Sequence, residues 1–179
     1  MLKAIAIVGL VLVASAGLTL AYAATKPDVF RVARATTIKA SPETIFPLIN
    51  EMRSFNIWNP YEKKDPNIKG TYSGPESGKG ASYAFESSKS GTGSLEIVDT
   101  SPPRKVAMKL TMVKPFAAEN LVEFTLEPQG DTTLATWAMN GRTPLLGKVV
   151  HLFLDMDKMV GNDFEAGLAN LKALAERRS

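Results

Sequence analysis

Cysteine is absent from this chain, and histidine occurs once, at position 151. Without cysteine there is no disulfide framework, no thiol nucleophile and no thiolate metal site. A single histidine excludes a histidine pair, and a serine triad would have to use His151 as its base. No G-x-S-x-G nucleophile elbow accompanies it, so His151 is expected on a helix surface. Phosphate-binding loops are missing too: Gly74, Gly78, Gly80, Gly91 and Gly93 fall in turns with no helix start behind them. Charge of one sign is scarce. The net charge is +3 over 179 residues and is evenly spread, which argues against a nucleic-acid partner. Asp155, Asp157 and Asp163 cannot share one helix face and fit no calcium loop, so capping or solvated roles are expected of them. No metal and no cofactor are expected.

What the chain does have is apolar residues in order. They make up 45% of the sequence, enough for one domain with a real core. Residues 1–24 are apolar or small except Lys3. A basic start, an apolar middle and a small-x-small exit at Ala21-Tyr22-Ala23 suit a secretory signal peptide. A transmembrane anchor fits equally, because about 20 apolar residues span a bilayer. The length favours a retained single-span anchor, with the following domain extracytoplasmic. Cleavage would instead leave a secreted or periplasmic protein. Residues 25–29 read as a linker and 30–178 as the folded domain.

From Phe30 the pattern is extended, with Phe30, Val32, Arg34, Thr36 and Ile38 on one face. Ser41-Pro42-Glu43 is a helix start: a capping hydroxyl, a proline at the first position and an acid at the positive end of the dipole. Pro47 should shorten or kink that helix. Residues 51–66 read as a loop or a second short helix, with turn signals at Asn59-Pro60 and Asp65-Pro66. Six strand patterns follow, near 68–73, 81–86, 94–99, 105–113, 120–127 and 132–140. The clearest sets Val106, Met108, Leu110 and Met112 against Lys105, Ala107, Lys109 and Thr111, one buried face and one wet face.

The last stretch organises the rest. Thr143 and Pro144 look like a cap and a first helical residue. Apolar residues then recur at helical spacing: Leu146, Val149, Val150, Phe153, Met156, Val160, Phe164, Leu168, Leu171 and Ala175. A straight helix of that length would span roughly 50 Å, so a kink or break is expected at Gly161-Asn162. Short turns between strands and helices clustered at the ends point to an α+β fold: a curved antiparallel sheet of about seven strands around a long C-terminal helix, with one or two short helices after the first strand.

Several pieces resemble the START-like, helix-grip superfamily, and within it the bacterial SRPBCC proteins of the polyketide cyclase/dehydrase and lipid-transport group. They are Ile38-Lys39-Ala40-Ser41-Pro42-Glu43 with Ile45-Phe46, Trp58-Asn59-Pro60-Tyr61, Asp65-Pro66, Tyr72-Ser73-Gly74-Pro75 and Gly91-Thr92-Gly93. The most specific is Met156-Asp157-Lys158-Met159-Val160-Gly161 with Asp163-Phe164-Glu165 and Gly167-Leu168. The resemblance covers about residues 30–178. It implies an apolar cavity between sheet and helix and a hydrophobic small molecule or lipid as ligand, without implying catalysis.

The cavity-lining candidates are Trp58, Tyr83, Phe85, Met108, Phe116, Trp137, Met139, Phe153 and Met156. Methionine and aromatic side chains suit a pocket for varied apolar ligands, and the same residues would equally fill a core. No catalytic residue is assigned. A cyclase/aromatase or dehydratase would need polar groups in the cavity, for which only Arg34, Tyr83 and Asn140 are candidates. The expected function is binding of a hydrophobic molecule, with an enzyme or a protein-interaction module as alternatives.

Overall fold

Every strand pattern becomes a strand, and all pairings are antiparallel. The computed structural model describes residues 2–153 and 155–178, and the side chains of residues 2–6, 8 and 151 lie outside the described set. The expectation for the His151 side chain therefore lies outside it as well. Helix α1 (Leu2–Ala24) leads into β1 (Val29–Ile38). Three short helices follow: α2 (Pro42–Asn50), α3 (Met52–Trp58) and α4 (Pro60–Lys64). Then come β2 (Lys69–Ser73), β3 (Ser82–Ser87), β4 (Gly91–Ser101), β5 (Lys105–Lys114), β6 (Ala118–Gln129) and β7 (Thr132–Arg142). Two helices, α5 (Leu145–His151) and α6 (Met156–Ala175), end the described chain.

The sheet order is β1-β7-β6-β5-β4-β3-β2. The first two strands therefore occupy opposite edges, and α2, α3 and α4 carry the chain across from one edge to the other. Helix α6 lies chiefly against β1 and is also packed by α2, α3 and α4. One face of the sheet is thus gripped around α6. Its core is Ile38, Ile45, Leu48, Ile49, Ile97 and Met108 from sheet and short helices, closed by Phe164, Leu168 and Leu171 of α6, all buried. Burying each such side chain contributes about 1.5–3 kcal/mol, which is why the stripe on α6 was readable in advance.

Local chemistry explains the short helices. The Ser41 hydroxyl accepts from the Thr44 amide at 3.3 Å, and Pro42 begins α2 as expected. Helix α2 survives Pro47 but ends three residues later. Asn59 caps α4 through the Tyr61 amide, 3.2 Å away, with Pro60 at the first position. The segment expected to hold one short helix or a loop thus holds two helices, because Asn59-Pro60 starts a helix and does not merely turn the chain.

The C-terminal stretch differs from expectation in two places. Thr143 caps nothing: its amide donates to the Asp28 carbonyl at 2.8 Å, prolonging the β1–β7 pairing, and α5 starts at Leu145 behind Pro144. The break also lies earlier than Gly161-Asn162. It falls between α5 and α6, where the Asp155 carboxylate accepts from the Lys158 amide at 2.9 Å and starts a new helix. Helix α6 then runs unbroken through Gly161. That glycine is buried against the Arg34 guanidinium, which occupies the space a Cβ would take. Glycine is used there for close approach, not for bending.

Among the described residues no helix is long and apolar enough to cross a membrane. In α1 the described side chains are residue 7 and residues 9–24, and large apolar ones among them, such as Leu10, Val13 and Leu18, are exposed.

Candidate functional site

Strand register builds the inner face of the sheet row by row. Val32, Met139, Val122, Met108 and Ile97 form one row across five strands, and all are buried. Beside it Arg34, Trp137, Phe124 and Val106 form a second row, towards the end covered by α2 and α3. On the other side lie Phe30, Gly141, Asn120, Leu110, Leu95, Tyr83 and Tyr72. A last row holds Met112, Gly93 and Phe85. Burial falls along this direction. Leu110, Met112, Phe85 and Tyr72 are only half-buried, and Tyr61 of α4 and Met156 of α6 are half-buried against the same core. The grip is therefore closed at one end and open and apolar at the other.

Aromatic rings close the first end. Trp137 stacks on Phe164 of α6 with centroids 4.1 Å apart and planes 11° from parallel. Trp58 stands edge-on to Trp137 at 5.6 Å, Phe55 edge-on to Trp58 at 4.8 Å, and Phe124 lies 5.0 Å from Trp137. The Trp58 indole donates to the Leu48 carbonyl at 2.8 Å. The Trp137 indole nitrogen is buried without a hydrogen-bond partner, an unusual cost for an interior donor.

The polar groups around this face are tied to one another. The Arg34 guanidinium meets the Glu165 carboxylate at 2.7 Å and the Asp157 carboxylate at 2.9 Å. Hydrogen bonding to these acids raises its pKa further and holds Asp157 below its ordinary value. The Tyr83 hydroxyl donates to Glu62 of α4 at 2.6 Å, and burial, with Glu62 second, lifts its pKa above the usual phenol range. Burial does the same to Tyr61, with Asp163 beside it, while Asp163 pairs with Lys64. Asn140 points elsewhere: its side-chain oxygen accepts from Arg31 at 3.3 Å. Below α4, the buried Asp65 accepts from the Ser87 hydroxyl at 2.7 Å, the Ser88 amide at 2.9 Å and the Asn67 amide at 3.1 Å. The Ser87 bond leads in lowering its pKa to about 2. The acids seen in the sequence thus serve as a cap (Asp155) and as ion-pair partners (Asp157, Asp163). No cluster that could hold a metal ion occurs among the described residues.

The nine lining candidates divide by position. Trp58, Met108, Trp137 and Met139 are buried in the inner rows, and Tyr83 is buried beside Tyr72 and Phe85. Phe85 and Met156 lie half-buried at the open end. Phe116, in the β5–β6 turn, is 72% exposed and apart from the inner rows, and Phe153, between α5 and α6, is 76% exposed and shares an outer pocket with Met156. Phe55, Phe124 and Phe164 complete the aromatic stack and were not among the candidates. Their signal was membership of the core face on three separate elements, which no local spacing joins. The Arg34 pairing had a fainter signal: Asp157 and Glu165 are eight residues apart, two helical turns, so both can face one strand residue.

A family model described as polyketide cyclase / dehydrase and lipid transport matches residues 29–176. The chain belongs to this family. No curated protein matches it. Solved structures are nonetheless similar in fold across most of the chain. Protein MLL2253 from Mesorhizobium loti has a TM-score of 0.62 at 14% identity, over 84% of this chain and 99% of its own. Protein CV1439 from Chromobacterium violaceum has a TM-score of 0.58 at 14% identity, over 84% and 99%. The di-domain ARO/CYC StfQ from the steffimycin biosynthetic pathway has a TM-score of 0.58 at 10% identity, over 84% of this chain and 51% of its own. At these identities the likeness is one of fold: a helix-grip domain.

Proposed function

We propose that this domain binds a hydrophobic small molecule or lipid at the open end of the grip and performs no chemistry on it. The observation that carries this is the fate of the polar groups beside an apolar, half-covered face. Arg34 is held by Asp157 and Glu165, Tyr83 by Glu62, and Asn140 by Arg31. A cyclase needs free groups converging on a polarised oxygen, and these three are spent on joining α4, α6 and β1 to the sheet. Leu110, Met112, Phe85 and Met156 instead offer apolar surface, with adaptable methionines at both ends.

In this reading α1 is a retained membrane anchor and the domain is extracytoplasmic, close to where apolar ligands partition. The support is the sequence alone: the run from Ala4 to Ala24 carries no charged residue and has about the number of residues a span uses.

The test is mass spectrometry of an organic extract of the full-length protein, purified in membrane-derived polymer discs without detergent. A defined apolar molecule enriched over the bulk lipid, and lost from Leu110→Trp, is the expected result. An extract identical to that of empty discs sinks the proposal. Release of a chemically altered product from a supplied polyketone would instead establish the enzyme.

A further inference from the structure

One pocket lies outside the inner rows of the grip. It measures about 800 Å³ and lies where α1, the linker, β1 and α5 meet. Leu18, Pro27, Val29, Leu152 and Phe153 supply apolar walls. Phe153, expected to line the grip and highly exposed, lies here instead. Lys148, Thr143 and Lys26 share the lining with Thr19 and Tyr22. Lys148 of α5 is only 7% exposed, an unusual burial for an ammonium. Its Nζ lies 2.5 Å from Asp28 Oδ1, but the Asp28 side chain is 91% exposed and free to swing into water. An ammonium carries three donors, and among the described contacts Asp28 engages one of them. Thr143 is 5% exposed, and its hydroxyl is buried without a hydrogen-bond partner. Lys26 stands at the linker side, its Nζ 2.9 Å from the Tyr22 hydroxyl.

A buried cation and an orphaned hydroxyl in an apolar cleft cost free energy unless something compensates them. The volume is within the range of small-molecule sites and small for a two-chain lipid. We infer that this pocket is a second binding site, for a single-chain amphiphile with an anionic carboxylate or phosphate head. Lys148 takes the head group by a charge-assisted hydrogen bond, displacing the exposed Asp28 carboxylate. Thr143 donates its hydroxyl to the same oxygen cluster, and Lys26 adds long-range attraction. The acyl chain lies along Leu18, Val29, Leu152 and Phe153. Apart from Phe30 at the sheet edge, the site uses neither the inner rows of the sheet nor the polar ties around them, so it goes beyond the grip reading and stands if that reading fails.

Photocrosslinking tests it on the full-length protein in its own membranes. The probe is a diazirine-bearing palmitic acid, with the matching uncharged alcohol as control and lysophosphatidic acid as competitor. The acid is expected to label peptides within 143–153 as well as 18–30. The alcohol should label 143–153 about tenfold less, a comparison that needs no variant. Lys148→Met should cut that label about tenfold and Thr143→Val about threefold. Competition by lysophosphatidic acid marks phosphate as the better head, and competition by unlabelled palmitate alone marks carboxylate. Equal labelling by acid and alcohol, or label unchanged in a folded Lys148→Met protein, overturns the inference. So does label that moves to β3–β5 or vanishes in Leu110→Trp, since it would then belong to the grip.

Discussion

Two glycines of α6 show how single side chains decide what the helix can approach. Gly167 faces the Trp137 ring and Pro60, both rigid, and a Cβ there would collide with them. Gly161 faces the end of the long Arg34 side chain, which can move aside. Gly→Ala in a helix gains about 1 kcal/mol of propensity, whereas overpacking a closed site costs about 1–3 kcal/mol. Gly167→Ala should therefore lose about 1–2 kcal/mol net in urea unfolding, while Gly161→Ala stays near neutral. A Gly167→Ala protein as stable as the parent would show that α6 does not press on Trp137. Gly161→Ala should still leave a trace. The displaced guanidinium loses Asp157 and Glu165, so the stability of the variant should depend less on salt than that of the parent.

Between elements, the tie from α4 to the β3–β4 turn is the one with a pH signature. Asp65 follows the last residue of α4, and it collects hydrogen bonds from Asn67, Ser87 and Ser88. Its pKa falls from the ordinary 3.8 to about 2 in the folded protein. A depressed carboxylate stabilises the fold fully above its unfolded pKa, and that contribution is lost as pH falls from 3.8 through 2. Asp65→Asn should flatten the stability profile in that window and leave its shape between pH 5 and 7 unchanged. Asp28 and Asp157, also depressed, keep part of the slope in place. An Asp65→Asn profile parallel to the parent below pH 4 would remove Asp65 from the account. The element boundaries teach a related lesson. Asp155, four residues after α5 stops, begins α6 through its side chain, and the helix then runs through Gly161 despite its weak helix preference. The break was placed at the residue with poor propensity, but a capping bond acts at the residue that makes it.

For the complete chain, the placement of the domain at a membrane can be checked directly. If α1 is retained as a span, the protein should stay in the membrane pellet after alkaline carbonate, and removal of residues 1–24 should release it. Full extraction of the parent by carbonate would end the anchor proposal. The two binding proposals separate at the same level: the grip ligand is read by extraction and the second site by crosslinking, and each responds to its own variant.

The order of strands and helices, the inner parity of each strand, the start of α2 and the apolar stripe of the last helix were all legible from the chain. They follow from period and turn chemistry, which are local. Family membership was legible for the same reason, since its pieces are short contiguous motifs. The buried rows of the sheet could be listed but not ordered, because the register that sets Leu110 beside Leu95 and Asn120 is decided between strands. Phe55, Phe124 and Phe164 meet Trp137 only when α3, β6 and α6 converge, and Arg34 finds its acids only when α6 crosses β1. The pocket holding Lys148 and Thr143 draws on α1, β1 and α5, segments far apart in the chain. Its chemistry is a matter of burial, and burial is a property the chain acquires only when it has folded.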